Sequence, residues 1–251
     1  MTDLSAEPRT GTQHDIAAGD YEATVTELGA GLRRLRYRGR PLIREYGPDE
    51  LPPAGAGQLL IPWPNRVDRG RYDFAGTAYQ LNLSEPATGN AIHGLTRFAN
   101  WSAIGGQASR DGQASRADLR HVLHAQPGYP FCLELTASYQ LSADGLEVAV
   151  TAWNAGSAAA PYGTGCHPYL VAGDGLVDDW ELELPAGQWL SADDRGIPDG
   201  PPADVADTPL DFRAARPLGA TRLDTAFTAL VPGPDGRAWA RLAGPGAELR
   251  F

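Results

Sequence analysis

An alternating stretch in the middle of the chain, residues 131–156 (FCLELTASYQLSADGLEVAVTAWNAG), constrains the fold more than any other part of the sequence. Its first half alternates apolar and more polar positions. The apolar positions are Leu133, Leu135, Ala137, Tyr139 and Leu141, and the polar ones are Glu134, Thr136, Ser138 and Gln140. A period of two is that of a β-strand with one face in the core. Because Asp144-Gly145 is a typical turn pair, the stretch predicts an antiparallel hairpin that turns there.

Strand patterns dominate the rest of the chain as well. DYEATVTEL and GLRRLRY flank a Gly-Ala-Gly turn at 29–31, and RYDFAGTAYQLNL reads as a hairpin turning at Ala75-Gly76. The pattern continues in WELELPAGQWL, LDTAFTALV and RAWARLA. No window shows sustained helical periodicity, and 30 glycines and 21 prolines punctuate the chain. These features predict an all-β fold, a sandwich or barrel of antiparallel sheets.

The sequence favours one domain. A chain of 251 residues is long enough for one large all-β core. We expect a flexible tail over residues 1–12 and a single domain over 13–251. The irregular stretch 191–217 suits a surface excursion better than a linker, and the repeated GQASR within 105–118 suits the tip of a long hairpin.

Composition and charge exclude several classes of partner. A formal net charge of −10 without a Lys/Arg-rich run argues against nucleic acid and anionic membrane surfaces. The first residues lack the pattern of a signal peptide, and no apolar run approaches a membrane span of about 18 residues. We therefore expect a cytoplasmic protein. Of the two cysteines, Cys132 lies in an apolar run and is expected to be a small core residue.

Metal, nucleotide and serine-hydrolase motifs are weak or absent from the sequence. His121 and His124 are spaced as H-x-x-H, but in a strand that spacing sends them to opposite faces, so a shared zinc ion is not expected. GAGLRR and GAGQLL complete no nucleotide-binding pattern. There is no G-x-S-x-G segment either.

Two other histidines lie in glycine-rich settings, His93 in GNAIHGL and His167 in GTGCHPYL. Because a residue before proline favours extended backbone, His167 is expected to project sideways from a strand. Either histidine could be a buried structural residue, or both could handle protons in a cleft. Arg66 of the Asn65-Arg66 pair could hold two ligand hydroxyls, although its local sequence favours bonds to backbone carbonyls in a turn.

Five blocks taken together resemble the aldose 1-epimerase (galactose mutarotase) family. They are PWPNRVDRGRYDFAGTAYQL, NAIHGL, GCHPYL, IPDG with PLDFR, and LDTAF, and they follow the order of that family from about residue 15. The resemblance implies a large antiparallel β-sandwich. It also implies mutarotation, the interchange of the α and β anomers of a free aldose, without a metal ion or organic cofactor.

The resemblance also implies roles for individual residues. His167 and His93 would be the catalytic residues: His167 would be the general acid on the ring oxygen, and His93 would hydrogen-bond the same region of the sugar. Asn65, Arg66 and Asp224 would bind substrate, with Arg66 and Asp224 holding other hydroxyls. Asp224 could alternatively be a turn residue ahead of the strand that follows it. Because Arg66 is the one cation near these motifs, we expect a neutral aldohexose as the small-molecule partner; the oligomeric state is not predicted.

The chain departs from the family pattern at its end. The general base of the family is a glutamate near the C-terminus, in a segment beyond the blocks matched here. This sequence stops at GAELRF, inside an alternating strand, so we expect a C-terminally truncated sequence. Glu248 is a poor substitute for the base. Three alternatives stay open: a mutarotase represented by an incomplete chain, a non-catalytic sugar-binding or sensing protein, and an all-β interaction domain with buried histidines.

Overall fold

The computed structural model describes residues 8–108, 112 and 115–251. Within these ranges the chain forms β-strands and three 3₁₀ turns, and no α-helix. This confirms the prediction of an all-β fold. The chain divides into two compact units, residues 1–170 and 171–251. The expectation that residues 13–251 form one domain stays a prediction.

The described part of the first unit contains fourteen strands. The first seven are β1 (Gln13–Ala18), β2 (Tyr21–Thr26), β3 (Leu32–Tyr37), β4 (Arg40–Pro41), β5 (Leu59–Leu60), β6 (Arg66–Val67) and β7 (Arg71–Phe74). The next seven are β8 (Thr77–Gln80), β9 (Ala91–Ile92), β10 (Ser102–Ala108), β11 (Ser115–Leu123), β12 (Leu133–Ser142), β13 (Gly145–Asn154) and β14 (Gly165–Cys166).

Two four-stranded antiparallel sheets build the core of this unit, and the remaining strands pair two by two. The large sheets have the orders β1-β2-β3-β4 and β10-β11-β12-β13. Strands β1 and β2 pack against β11 and β12, so the buried faces of the two sheets meet. The short pairs are β5 with β14, β6 with β9, and β7 with β8. The antiparallel sandwich architecture expected from the family resemblance is therefore present.

Strand β12 shows the predicted alternation. Its five apolar positions, Leu133 to Leu141 in steps of two, are buried, and the positions between them are less so. The expectation that Cys132 is a core residue is wrong, because Cys132 is only partly buried. It has the opposite parity to the buried positions of the strand, so its side chain points away from that core. The turn lies at Ala143-Asp144, one residue before the predicted pair, since Ser142 pairs with Gly145.

The other predicted hairpins of the first unit are confirmed. β7 and β8 are joined by Ala75 and Gly76, both with positive φ, as a two-residue turn between twisted strands requires. β2 and β3 flank the turn at 29–31. β10 and β11 form the long hairpin, but the part of its tip at 109–111, 113 and 114 lies outside the described residues.

Within the expected tail, Thr10 is fully buried and donates its amide and its hydroxyl to the carbonyl of Pro48. Residues 1–7 of the expected tail lie outside the described residues.

A search of the described residues for a helix with the length and hydropathy of a membrane span finds none.

The second unit contains the other seven strands in two sheets, ordered β18-β15-β20-β21 and β17-β16-β19. The strands are β15 (Glu181–Glu183), β16 (Ala186–Leu190), β17 (Ala203–Asp204), β18 (Arg216–Pro217), β19 (Ala226–Leu230), β20 (Arg241–Gly244) and β21 (Ala247–Arg250). WELELPAGQWL is not one strand. It divides at Leu184-Pro185, where proline lacks a ladder donor, and its halves enter different sheets.

Candidate functional site

The short pair of β6 and β9 places the Asn65-Arg66 dipeptide beside His93. Arg66 pairs with Ile92 in an antiparallel ladder. Asn65, which precedes Arg66, therefore lies beside His93, which follows Ile92. The His93 amide donates to the Asn65 carbonyl at 2.8 Å, and the Asn65 amide donates to Nδ1 of His93 at 3.0 Å. Two residues that lie 28 positions apart in the sequence are therefore joined by two hydrogen bonds.

The backbone around His93 is held in an uncommon conformation. Asn65 and His93 both have left-handed backbone, with φ of 57° and 61°. Such angles are unusual for residues with a side chain and persist where the surroundings fix them. The next residue, Gly94, has φ of 71°, and a Cβ there would lie 2.1 Å from the Ile61 carbonyl oxygen. Glycine is required at this position both by its backbone angles and by the close approach of Ile61.

His167 reaches the same region from another strand pair. β14 pairs with β5, and the chain continues past β14 with two further backbone bonds. The His167 amide donates to the Gln58 carbonyl at 3.1 Å, and its carbonyl accepts from the Gly57 amide at 2.8 Å. His167 thus lies on extended backbone before Pro168, as its sequence predicted.

The two histidine rings contact each other. Their centroids are 5.3 Å apart and their planes are inclined at 78°. The ring of Tyr169 packs on the ring of His167, with a distance of 5.1 Å between the two centroids. Among the described residues, no protein group forms a hydrogen bond to the ring nitrogens of His167. This is the geometry of a partly buried imidazole whose nitrogens can take a ligand.

The hydrogen bond to Nδ1 determines which form of His93 is present. Because Nδ1 accepts from the Asn65 amide, the neutral ring carries its proton on Nε2. Burial lowers the pKa of His93 to about 4, with the nearby Arg97, His167 and Arg66 adding to the effect. His93 is therefore a neutral donor through Nε2–H at pH 7, and it does not supply a titrating proton there.

Arg66 is held by a carboxylate that the motif analysis did not single out. Its Nε donates to Oε2 of Glu85 at 2.8 Å and its Nη2 to Oε1 at 3.0 Å. Its Nη1 donates to Oδ1 of Asn65 at 3.2 Å. The bonds from Arg66 to Glu85, with one from the Thr88 hydroxyl, lower the pKa of Glu85 to about 2. The local sequence favoured backbone carbonyls as partners of Arg66, and the structure shows a bidentate ion pair with Glu85.

Arg97 is a second cation near the two histidines, which corrects the expectation that Arg66 is alone there. Its guanidinium is half-buried, and burial lowers its pKa. Its backbone is held by Gln58, whose Nε2 donates to the Arg97 carbonyl at 2.5 Å. The same Gln58 contributes the carbonyl that accepts from His167. One fully buried glutamine therefore links the Arg97 loop to the His167 strand.

The other residues named by the sequence are described each within its own unit. Asp224 is in the second unit, exposed and two residues ahead of β19, and its role in substrate binding stays a prediction. Glu248 accepts from Arg241 at 3.1 Å and from Arg250 at 3.4 Å, as expected of a structural ion pair. His121 bonds to the Asn100 carbonyl through Nδ1. No metal-ligand cluster occurs among the residues placed by the structure.

Motif reading missed Glu85, Arg97 and Gln58. Glu85 lies 19 residues from Arg66 and on the far side of the β7–β8 hairpin, so neither spacing nor pattern connects them. Gln58 looks like any polar residue before a strand. The sequence offered one signal, because Asn90 begins the block NAIHGL. In the structure Asn90 is fully buried and donates to Thr88, next to Glu85.

The two perturbed groups predict separate windows of acid destabilisation. The unfolded chain protonates His93 near pH 6.5 but the folded protein only near pH 4, so the free energy of unfolding falls as the pH drops between these values. Glu85 contributes stability above about pH 4.5, which is lost as the pH falls towards 2. Urea unfolding at several pH values should show His93→Gln removing the first component and Glu85→Gln the second. Equal pH dependence in both variants would contradict the assignment.

Comparison with known proteins supports the fold and identifies a family. A family model described as aldose 1-epimerase matches residues 13–245. The uncharacterized protein YihR of Escherichia coli (strain K12) is 38% identical over 213 residues, which cover 84% of this chain and 67% of YihR. Galactose mutarotase of Rattus norvegicus is 32% identical over 224 residues, covering 87% of this chain. The chain matches only 56% of the length of the rat protein.

Solved structures share the fold. Galactose 1-epimerase from Lactobacillus acidophilus NCFM superposes with a TM-score of 0.75 at 24% identity, covering 90% of this chain and 70% of that one. The GalM/aldose epimerase homologue from C. elegans gives a TM-score of 0.78 at 19% identity, covering 95% and 78%. At these identities the likeness concerns the fold. The family match includes every element that builds the two-histidine site, and the chain belongs to the aldose 1-epimerase family.

Proposed function

We propose that this chain interconverts the α and β anomers of a free hexose at the site of His93 and His167. The observation that carries the proposal is the contact between the two imidazole rings, whose centroids are 5.3 Å apart and whose hydrogen bonding differs. One is fixed as a neutral donor by the Asn65 amide. The other has ring nitrogens available to a ligand. A donor and a proton-transfer group side by side suit the ring oxygen of a sugar.

His167 is the proposed acid. It protonates the ring oxygen while a base takes the proton of the C1 hydroxyl, so the bond from C1 to the ring oxygen breaks and an aldehyde forms. Rotation about the C1–C2 bond and the reverse proton transfers close the ring on the other face. Histidine suits this role because its ordinary pKa lies near neutrality. His93 donates from Nε2–H and orients the sugar.

Glu85 is not the proposed base, although it is the carboxylate beside Arg66. Both of its oxygens accept bonds from Arg66, and one accepts a further bond from Thr88. With a pKa of about 2, it is a weak proton acceptor at pH 7. We therefore assign no base among the described residues of the first unit.

Without an assigned base among the described residues of the first unit, a second candidate function is sugar binding without catalysis. The same donors and rings would hold a hexose, and the proton of the C1 hydroxyl would have no acceptor. The two candidates differ in one measurable property. If the chain only binds sugar, added sugar shifts the histidine resonances, but the rate of anomeric relaxation equals the rate in buffer.

Neutral hexoses are the proposed substrates. The Arg66 charge is balanced by Glu85, which leaves Arg97 as the cation of this region without a carboxylate within 4 Å among the residues described. One half-buried guanidinium is a modest attraction for an anion. A hexose 6-phosphate is the charged substrate for comparison, and a higher kcat/KM for it than for galactose would contradict the neutral assignment.

The experiment is the relaxation of freshly dissolved α-D-galactose and α-D-glucose to anomeric equilibrium, followed by NMR or polarimetry. The chain is expected to accelerate relaxation in proportion to its concentration. A matched control uses His124→Asn, which alters an exposed histidine outside the site. Rates equal to buffer, together with sugar-dependent histidine shifts, would replace the catalytic proposal with the binding one.

A further inference from the structure

Glu85 lies at the start of a tightly bonded turn next to the site. Its amide donates to the Asn90 carbonyl at 3.0 Å, and its carbonyl accepts from the amides of Gly89 and Asn90 at 3.0 and 3.2 Å. Its side chain accepts from the Thr88 hydroxyl, which in turn accepts from Nδ2 of Asn90 at 3.1 Å. Asn90 is fully buried. The turn therefore fixes the backbone of Glu85, and the Thr88 hydroxyl holds its carboxylate in addition to Arg66.

From this fixed carboxylate a chain of bonds leads to the ring of His93. Glu85 accepts two bonds from Arg66, and Arg66 donates to Oδ1 of Asn65 at 3.2 Å. The Asn65 amide donates to Nδ1 of His93 at 3.0 Å. Two parallel bonds to one carboxylate set the plane of a guanidinium as well as its position. A guanidinium rotated out of that plane would move the Nη1 donor that bonds to the Asn65 side chain.

We propose that Glu85 is a positioning residue, which orients Arg66 and through it the Asn65–His93 pair for binding of the sugar. The inference rests on the proposed function, since it assigns Glu85 to the same site. Glu85 acts through Arg66 and takes no proton in the reaction. A guanidinium has five N–H donors, more than one carboxylate can accept, so pairing with Glu85 does not by itself remove Arg66 from ligand binding.

The chain contains a matched control pair. Arg36 donates from Nε and Nη2 to the two oxygens of Glu45 at 2.8 and 2.6 Å, a bidentate geometry like that of Arg66 and Glu85. The side chain of Glu45 is as exposed as that of Glu85, 22% against 21%, whereas Arg36 is more exposed than Arg66. The pair lies in the same unit, and its residues have no part in the proposed site. Glu45→Gln therefore measures the general effect of losing such an ion pair.

The experiment is a double-mutant cycle in the full chain with Glu85→Gln, Arg66→Ala and both changes together. The readouts are KM and kcat for galactose relaxation, with urea unfolding of each variant. Glu85→Gln is expected to raise KM about tenfold or more with a smaller fall in kcat, since misplaced binding groups weaken the hold on the sugar. In the Arg66→Ala background, Glu85→Gln should cause no further loss in kcat/KM.

Several results would overturn the inference. One is a Glu85→Gln variant as active as wild type beside an impaired Arg66→Ala variant. Another is an undiminished effect of Glu85→Gln in the Arg66→Ala background, or an equal effect of Glu45→Gln. If Glu85→Gln does not fold, Glu85→Asp keeps the charge on a shorter side chain and should still raise KM. A wild-type KM for Glu85→Asp would overturn the inference equally.

Failure of the proposed function gives a different pattern. If the wild-type chain binds galactose without accelerating relaxation, the catalytic proposal fails, and the cycle is read from Kd values measured by NMR. The inference then requires Glu85→Gln to weaken binding about tenfold or more in the wild-type background alone. A wild-type chain that neither binds nor converts galactose overturns both proposals.

Discussion

Replacing His167 with asparagine is expected to lower kcat for anomeric relaxation by about 10²–10⁴-fold while the protein stays folded. Asparagine can still donate a hydrogen bond but cannot transfer a proton at neutral pH, so the loss isolates the acid step. The fold should tolerate the change, because the backbone bonds of His167 to Gln58 and Gly57 do not involve its side chain. The measurement compares kcat with the urea midpoint.

The control for this prediction is His124→Asn, at an exposed position just after β11. It should leave both the rate and the stability within experimental error of wild type. A His167→Asn variant with wild-type kcat would end the assignment of the acid. A fall in activity that only matches a fall in the folded fraction would make His167 a structural residue.

Replacing Gly94 with alanine is expected to destabilise the protein strongly, by roughly 3 kcal/mol or more. The new Cβ would lie 2.1 Å from the Ile61 carbonyl oxygen. That carbonyl cannot retreat without losing its 2.7 Å bond from the Leu95 amide. Because Gly94 follows His93, any surviving fold should also show impaired sugar binding.

Gly39→Ala is the matched control for Gly94→Ala. Gly39 has φ of 74°, close to the 71° of Gly94, but nothing lies within 4 Å of a Cβ placed there. Its variant therefore carries only the backbone strain of about 1 kcal/mol. Urea unfolding separates the two contributions. Equal destabilisation of the two variants would show that the collision with Ile61 relaxes at no cost, contrary to the account.

Local patterns predicted the regular part of the fold. The alternation in β12 and the Ala75-Gly76 turn follow from the two-residue period and from the φ values that a tight hairpin needs, and both operate over a few residues. The same parity rule, applied one residue earlier, would have placed Cys132 outside the core. The division of WELELPAGQWL at Pro185 was equally readable in physical terms.

The site was predictable only in part, because its contacts join distant segments. The family resemblance named His93, His167 and Arg66, and the structure brings these segments together in one unit. The tautomer of His93 depends on a backbone amide 28 residues away, and the orientation of Arg66 depends on Glu85. No local pattern encodes either bond. They follow from the pairing of β6 with β9 and from the turn at 85–90.

A long-range ¹H–¹⁵N NMR spectrum of the five histidines during titration with galactose is the most direct test of a sugar site at His93 and His167. His93 is expected to show the Nε2–H tautomer and to stay neutral down to about pH 5. Galactose is expected to shift the resonances of His93 and His167, while those of His14, His121 and His124 stay unchanged. Equal shifts at all five, or none at His93 and His167, would contradict a sugar site built on these two rings.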